Sequence, residues 1–255
     1  VNYFTKEFKI DPIKNKMPKL ISIYGIRRSG NHIIANWIMS HYNSGCYIND
    51  IGYNFRQKTN NLPCHKHLCK PFDIYENPEI IVLGIENKTN LKIHDLYLNK
   101  INAYYNTMAD NIKICLIRNC ANLIASHLQA WGNMEYHENI PNHWKQYIDL
   151  LKNNCDLQLV VYDHWLNNQY KNIIANKIGF TNKNLGIQDI PNYGGGSSFN
   201  DSIVCNDKLK RRWQTMTNNK RFISIMENFS YWSDHVDIFG KDEIYNYFNT
   251  NNGEQ

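Results

Sequence analysis

The chain has 255 residues, 42% of them hydrophobic and 20% charged, and a formal net charge of +5. That length fits one α/β domain with a sizeable core, and no run approaches the ~18 consecutive apolar residues that a membrane span needs. The basic residues are scattered except at positions 208–212, a distribution that suits an anionic ligand better than a nucleic-acid surface.

Residues 1–18 read as a polar lead-in, interleaved with lysines and without a secretory apolar core. Leu20 to Tyr24 is an apolar, β-branched run typical of a buried strand, and Gly25 and Gly30 bracket a tight loop. Ile33, Ile34, Trp37 and Ile38 recur at helical spacing, so a helix is expected from Asn31 to about Tyr42, with Asn43-Ser44-Gly45 as its stop. The unpaired N–H groups and positive dipole end of such a helix make an anion cradle. Gly25-x4-Gly30 matches the first half of a Walker A loop, but Asn31 and His32 stand where that motif has Lys and Ser/Thr. Arg28 places the cation inside the loop instead. A plain strand-to-helix turn with surface arginines is the other reading.

Cys46 to Ile48 fits a short second strand, and residues 49–77 form an irregular insertion that could cover an acceptor site. Within it Cys64, His65, His67 and Cys69 offer soft ligands, but four within six residues are cramped for zinc, so no metal is expected. His65 or His67 could instead serve as a general base. Residues 79–85 are a buried strand that delivers Glu86 at its carboxyl end, where open parallel sheets bind ligands; a solvated loop glutamate is the alternative. Residues 91–110 suit a helix. Residues 111–117 form a third strand ending in Arg118-Asn119, and a helix beginning near Cys120 carries Ser126 two turns along. Arg118 and Ser126 could then share one anion.

Residues 156–162 make a fourth strand, followed by Asp163 and a helix that stops at Gly179. Repeated strand, loop and helix units argue an α/β fold with a central, mostly parallel sheet flanked by helices. Gly194, Gly195, Gly196 and Ser197 lie in a glycine run that can close backbone N–H groups on a phosphate, and Lys208, Lys210, Arg211 and Arg212 follow; a flexible linker is the other reading. Residues 226–248 suggest a closing helix pair. Seven cysteines, odd in number and without a regular framework, fit reduced thiols and a cytoplasmic location.

With these features in order, residues 20–213 resemble the sulfotransferase family that uses 3′-phosphoadenosine 5′-phosphosulfate. Arg28-Ser29-Gly30-Asn31 looks like the family's 5′-phosphosulfate segment, and Arg118-Asn119 through Ser126 is similar to its 3′-phosphate segment. Cys120 replaces the usual proline, Asn122 the frequent aspartate, and Asn31 the usual threonine. Tyr162-Asp163 looks like a variant of a strand end whose tyrosine approaches the adenine.

The resemblance implies a single three-layer, P-loop-like domain. Arg27, Arg28, Ser29, Gly30, Asn31 and His32 would hold the 5′ end of the donor. Arg118, Ser126, Tyr162, residues 194–197, Arg211 and Arg212 would hold the rest. Arg28 would stabilise the leaving phosphate, and Glu86, with His67 as the alternative, would be the base. The donor would leave as adenosine 3′,5′-bisphosphate without a metal.

The expected acceptor is a hydroxyl or amine of a small molecule. The loop's likeness to short bacterial enzymes extends that to secondary metabolites such as guanidinium alkaloid toxins, for which Asp50, Tyr53, Glu135, Tyr136 and Glu138 would be wall residues. Neither nucleic acid nor membrane is expected as a partner, and a homodimer is compatible. The competing readings are a P-loop kinase or NTPase and a nucleotide-binding module without chemistry.

Overall fold

The computed structural model describes residues 18–48, 69–70, 78–89, 91, 95, 99, 111–132, 134–165, 167–182 and 211–250. Its strands are β1 (Lys19–Gly25), β2 (Gly45–Ile48), β3 (Cys69–Lys70), β4 (Ile80–Glu86), β5 (Asn111–Ile117) and β6 (Leu157–Val161). They form one sheet in the order β3-β2-β4-β1-β5-β6, parallel throughout except for β3, a two-residue antiparallel edge on β2.

Alternate side chains of the central strands enter two apolar layers, as the period of two along a strand requires. Leu20, Tyr24, Ile81, Leu83, Ile85, Cys115 and Ile117 face one side, against α2 (Cys120–Trp131) and α3 (Ile140–Lys152). Ile21, Ile23, Ile80, Val82, Ile114 and Leu116 face the other, against α1 (Asn31–Met39) and α5 (Asn168–Ile178), which follows the short α4 (Tyr162–Trp165). The result is a three-layer, P-loop-like α/β domain. On the first face, α6 (Lys220–Glu227), α7 (Trp232–Phe239) and α8 (Glu243–Thr250) close the core with Phe222, Phe229 and Phe248.

The chain leaves β1 toward β2 and β4 on one side and then crosses to β5 on the other. The reversal opens a crevice at the carboxyl end of β1, where such sheets bind ligands. In register there, Gly25 pairs with Glu86 of β4 and with Leu116 of β5.

Several local expectations shift. Helix α1 stops at Met39 because the Ser40 hydroxyl and His41 Nδ1 both take the Trp37 carbonyl, each at 2.7 Å. Strand β6 ends at Val161, and Tyr162-Asp163 begins the helical turn α4. Helix α3 is an addition: Ile140, Trp144, Tyr147 and Ile148 form its buried stripe, and Pro141 sits in its first turn, where a missing N–H costs nothing. The closing pair expected over residues 226–248 is α7 and α8, and the short helix α6 comes just before it.

Cys64, His65, His67 and residues 194–197 lie outside the described residues, as does nearly all of 91–110. Among the described residues no helix is long and apolar enough to cross a membrane, and no group of three or more His, Cys, Asp or Glu is placed to hold a metal ion.

Candidate active site

The loop between β1 and α1 turns within a few residues, and its backbone is fastened from several directions. Ile26 O accepts from Ser29 N at 3.0 Å and from Asn31 Nδ2 at 3.1 Å. Arg27 N donates to Asn87 Oδ1 at 2.9 Å, while Arg118 Nη1 donates to Arg28 O at 2.8 Å. Arg28 has φ 71°, the left-handed region, which costs a residue with a side chain about 1–2 kcal/mol. Such strain persists only where surrounding contacts over-determine it, and it clusters at functional sites.

Gly30 caps α1 at φ 99° with no side-chain cap bond, and the first turn holds no acidic residue. A Cβ there would lie 2.4 Å from the Tyr162 ring, so the glycine allows the loop to rest on that tyrosine.

Tyr162 is 5% exposed and lies under the loop, stacked with Trp165 at 6.2 Å. The Arg118 guanidinium sits 5.2 Å above its ring. Burial raises the Tyr162 pKa; the positive charges of Arg118 and Arg212 oppose the rise. Of the two described arginines of the basic cluster, Arg212 is the one that turns inward. Arg211 is exposed and pairs with Glu243 at 2.7 Å.

Arg118 is 2% exposed, and its Nε and Nη2 have no hydrogen-bond partner among the described residues. Arg28 Nε lies 3.5 Å from Ser126 Oγ, and its guanidinium sits 5.7 Å from the Trp131 ring centre. Burial first, and then the like charge of Arg118, lowers the Arg28 pKa, although a guanidinium stays charged at any working pH. Two cationic guanidiniums, a serine hydroxyl and a helix end without a side-chain cap thus gather at one place, a donor set whose chemistry suits an anion with several acceptor oxygens.

An N-cap secures this arrangement. Asn119 Oδ1 accepts from Ala121 N at 3.0 Å and Asn122 N at 3.5 Å, starting α2 directly after Arg118. Asp163 takes Asn119 N at 2.8 Å and Asn122 Nδ2 at 3.2 Å, and Asn122 Oδ1 takes Trp213 N at 3.2 Å. The asparagine at 122 thus joins α4 to the turn carrying Arg212. From α3, Trp144 Nε1 donates to Arg118 O at 2.9 Å, and the Tyr147 hydroxyl lies 3.1 Å from both Gly25 O and Lys88 O. These two residues escaped the sequence reading, though their stripe at three- and four-residue spacing was there to be seen.

Glu86 is 6% exposed and knotted to the loop. Its Oε2 takes Arg27 Nε at 3.2 Å, its Oε1 takes Asn31 Nδ2 at 3.0 Å, and His32 Nε2 stands 3.9 Å away. Asn31 was expected to help cap the 5′ end of the donor, and its side-chain N–H₂ is already given to Ile26 O and Glu86. That side chain is turned under the loop, so only its backbone N–H remains for the role. Ser29 is 1% exposed within the loop.

His127 was not singled out from the sequence, and Tyr136 was expected only as an acceptor wall residue. His127 Nε2 lies 2.8 Å from Arg27 O and Nδ1 3.2 Å from the Tyr136 hydroxyl. Burial lowers the His127 pKa from 6.5 to about 3. Between those values the unfolded chain binds a proton that the folded protein refuses, so stability falls as pH drops from 6.5 toward 3. From pH 7 to pH 5 this group is expected to remove ~2 kcal/mol. Urea titrations should find that loss in the wild type and a shallower one in His127→Gln.

The chain is similar to the sulfotransferase domain of the Synechococcus PCC 7002 olefin synthase, with a TM-score of 0.46 and 13% sequence identity over 85% of this chain and 96% of that one. No protein-family model matches the chain, and no curated protein sequence does.

Proposed function

We propose that the protein is a sulfotransferase that binds 3′-phosphoadenosine 5′-phosphosulfate in this crevice and passes its sulfuryl group to a hydroxyl or amine of a small molecule. The observation that carries the reading is the buried Arg118 guanidinium, two of its nitrogens unpartnered among the described residues, bonded to the carbonyl of an Arg28 whose own Nε lies 3.5 Å from Ser126 Oγ. A buried cation left this way is costly, and a phosphate with several acceptor oxygens would offset the cost.

Arg118, Ser126 and Arg212 would hold the 3′-phosphate, while the loop, Ser29 and the N–H groups opening α1 would hold the 5′ end. The donor, when bound, supplies the sulfuryl group. Arg28 then neutralises charge growing on the departing phosphate oxygen, by position and hydrogen bonding rather than by giving up a proton. Glu86 takes the acceptor's proton. Glu135, Tyr136, Glu138, Asn139 and Arg221 line a cleft of about 660 Å³; burial raises the Tyr136 pKa, and the nearby charges of Arg27 and Arg28 oppose the rise. That cleft is where the acceptor would enter.

Calorimetric titration with adenosine 3′,5′-bisphosphate tests the reading. The expected result is saturable binding in the micromolar range, about −8 kcal/mol, independent of magnesium. Failure to bind that nucleotide would end the sulfotransferase reading, and magnesium-dependent hydrolysis of ATP would favour a kinase or NTPase instead.

A further inference from the structure

We propose that His127 is a positioning residue for the donor: its imidazole, fixed from behind by Tyr136, clamps the Arg27 carbonyl and so sets the loop that presents Arg28 to the 5′ end of the nucleotide. The inference rests on the sulfotransferase reading above and extends it to a residue that touches no ligand.

His127 follows Ser126 on α2 and is 2% exposed. A carbonyl can only accept, so Nε2, at 2.8 Å from Arg27 O, carries the hydrogen and donates it. Nδ1 is then the lone-pair nitrogen, and the Tyr136 hydroxyl donates to it across 3.2 Å. The two neighbours together select one tautomer of a neutral ring. Trp131 and His137 meet the ring edge-on at 4.9 and 5.8 Å, which restricts its rotation. Burial keeps the ring neutral throughout the ordinary pH range.

The clamp matters because the loop does not hold its shape by glycine alone. Arg28 occupies the left-handed region without being glycine. Three successive carbonyls are held in place from outside the turn or across it: Ile26 O by Ser29 and Asn31, Arg27 O by His127, and Arg28 O by Arg118. In a trans peptide the C=O and the next N–H point in opposite directions. Fixing the Arg27 carbonyl therefore fixes the peptide from which Arg28 departs. Ser126 and His127, adjacent on one helix, address the Arg28 side chain and the loop backbone respectively.

The experiment is calorimetric titration of His127→Phe, His127→Gln and Tyr136→Phe with two probes. One is adenosine 3′,5′-bisphosphate; the other is adenosine 3′-monophosphate, which lacks the phosphate that the loop would hold. His127→Phe is expected to weaken the bisphosphate by about 10-fold or more and the monophosphate by less than about 2-fold, the selective loss a positioning role predicts. His127→Gln keeps an N–H of similar reach and should stay within about 3-fold of wild type for both probes, and Tyr136→Phe should cost the bisphosphate about 3-fold. Equal losses of both probes in His127→Phe, no loss at all, or a His127→Gln as weak as His127→Phe would overturn the role. If His127→Phe does not fold, Tyr136→Phe decides: unchanged affinity for the bisphosphate overturns it as well. A wild-type protein that binds neither nucleotide removes the sulfotransferase reading and this role with it. A wild type that prefers the bisphosphate, with variants that lose both probes alike, removes the role of His127 alone.

Discussion

Arg118→Met is expected to weaken binding of adenosine 3′,5′-bisphosphate by about 100- to 1,000-fold, the effect of truncating one partner of a desolvated charge pair, while the free protein keeps its stability to within about 1 kcal/mol. The two halves of this expectation come from opposing terms. The substitution removes the bond from Nη1 to Arg28 O and the contact with the Tyr162 ring, together worth about 1–3 kcal/mol. It also removes a guanidinium held at 2% exposure with Nε and Nη2 unsatisfied, a burden of several kcal/mol when no anion is bound, by order of magnitude. Methionine, flexible and of similar reach, refills the space. Binding has no such compensation, because the anion would lose its most buried cation. Urea denaturation of the free variant beside nucleotide titration separates the cases. A large stability loss with unchanged affinity would make Arg118 a structural residue and undo the phosphate site.

Much of this architecture could be read from local pattern. The apolar runs at Leu20, Ile80 and Asn111 are strands buried on both faces, so hydrophobicity alone marked them. The glycine-bracketed loop marked the crevice. Arg118 and Ser126, eight positions apart, were expected to share one anion because a helix separates them by about two turns; in the structure Arg28 contacts both, its carbonyl accepting from Arg118 and its Nε lying 3.5 Å from Ser126 Oγ. What escaped depends on contacts between distant segments. Glu86 reaches Asn31 and Arg27 only because β1 and β4 pair in the register that sets Gly25 beside Glu86. Asp163 meets Asn119 only because β5 and β6 are neighbours. Inward-turned Arg212 and outward-turned Arg211 are adjacent in the chain and are told apart by Glu243, which takes the second. His127 carried no motif at all. Its role depends on which carbonyl passes 2.8 Å from its ring, a distance that no residue pattern encodes.

Glu86→Gln is expected to lower turnover by about 10²- to 10⁴-fold, the span of general-base catalysis, and to change nucleotide affinity by less than about 3-fold. The carboxylate has three neighbours, Arg27 at 3.2 Å, Asn31 at 3.0 Å and His32 at 3.9 Å. Its two oxygens offer roughly four lone-pair positions, so accepting these contacts leaves room for one proton from an acceptor. Glutamine keeps the shape and one accepting oxygen but turns an N–H₂ toward either Arg27 or Asn31, both donors. The conflict should cost about 1–3 kcal/mol of stability, which a denaturation curve will register whether or not Glu86 is a base. Stability therefore cannot discriminate, and the split between turnover and affinity must. A carboxylate that only ties β4 to the loop would, when altered, loosen the loop and lower nucleotide affinity and turnover together. A base would lose turnover alone, since binding the nucleotide requires no proton to move. The measurement uses whichever acceptor a screen of the nucleotide-saturated protein returns. Full turnover in Glu86→Gln would transfer the proton-accepting role to His65 or His67 and leave Glu86 as the strut that holds Arg27 and Asn31 beneath the loop.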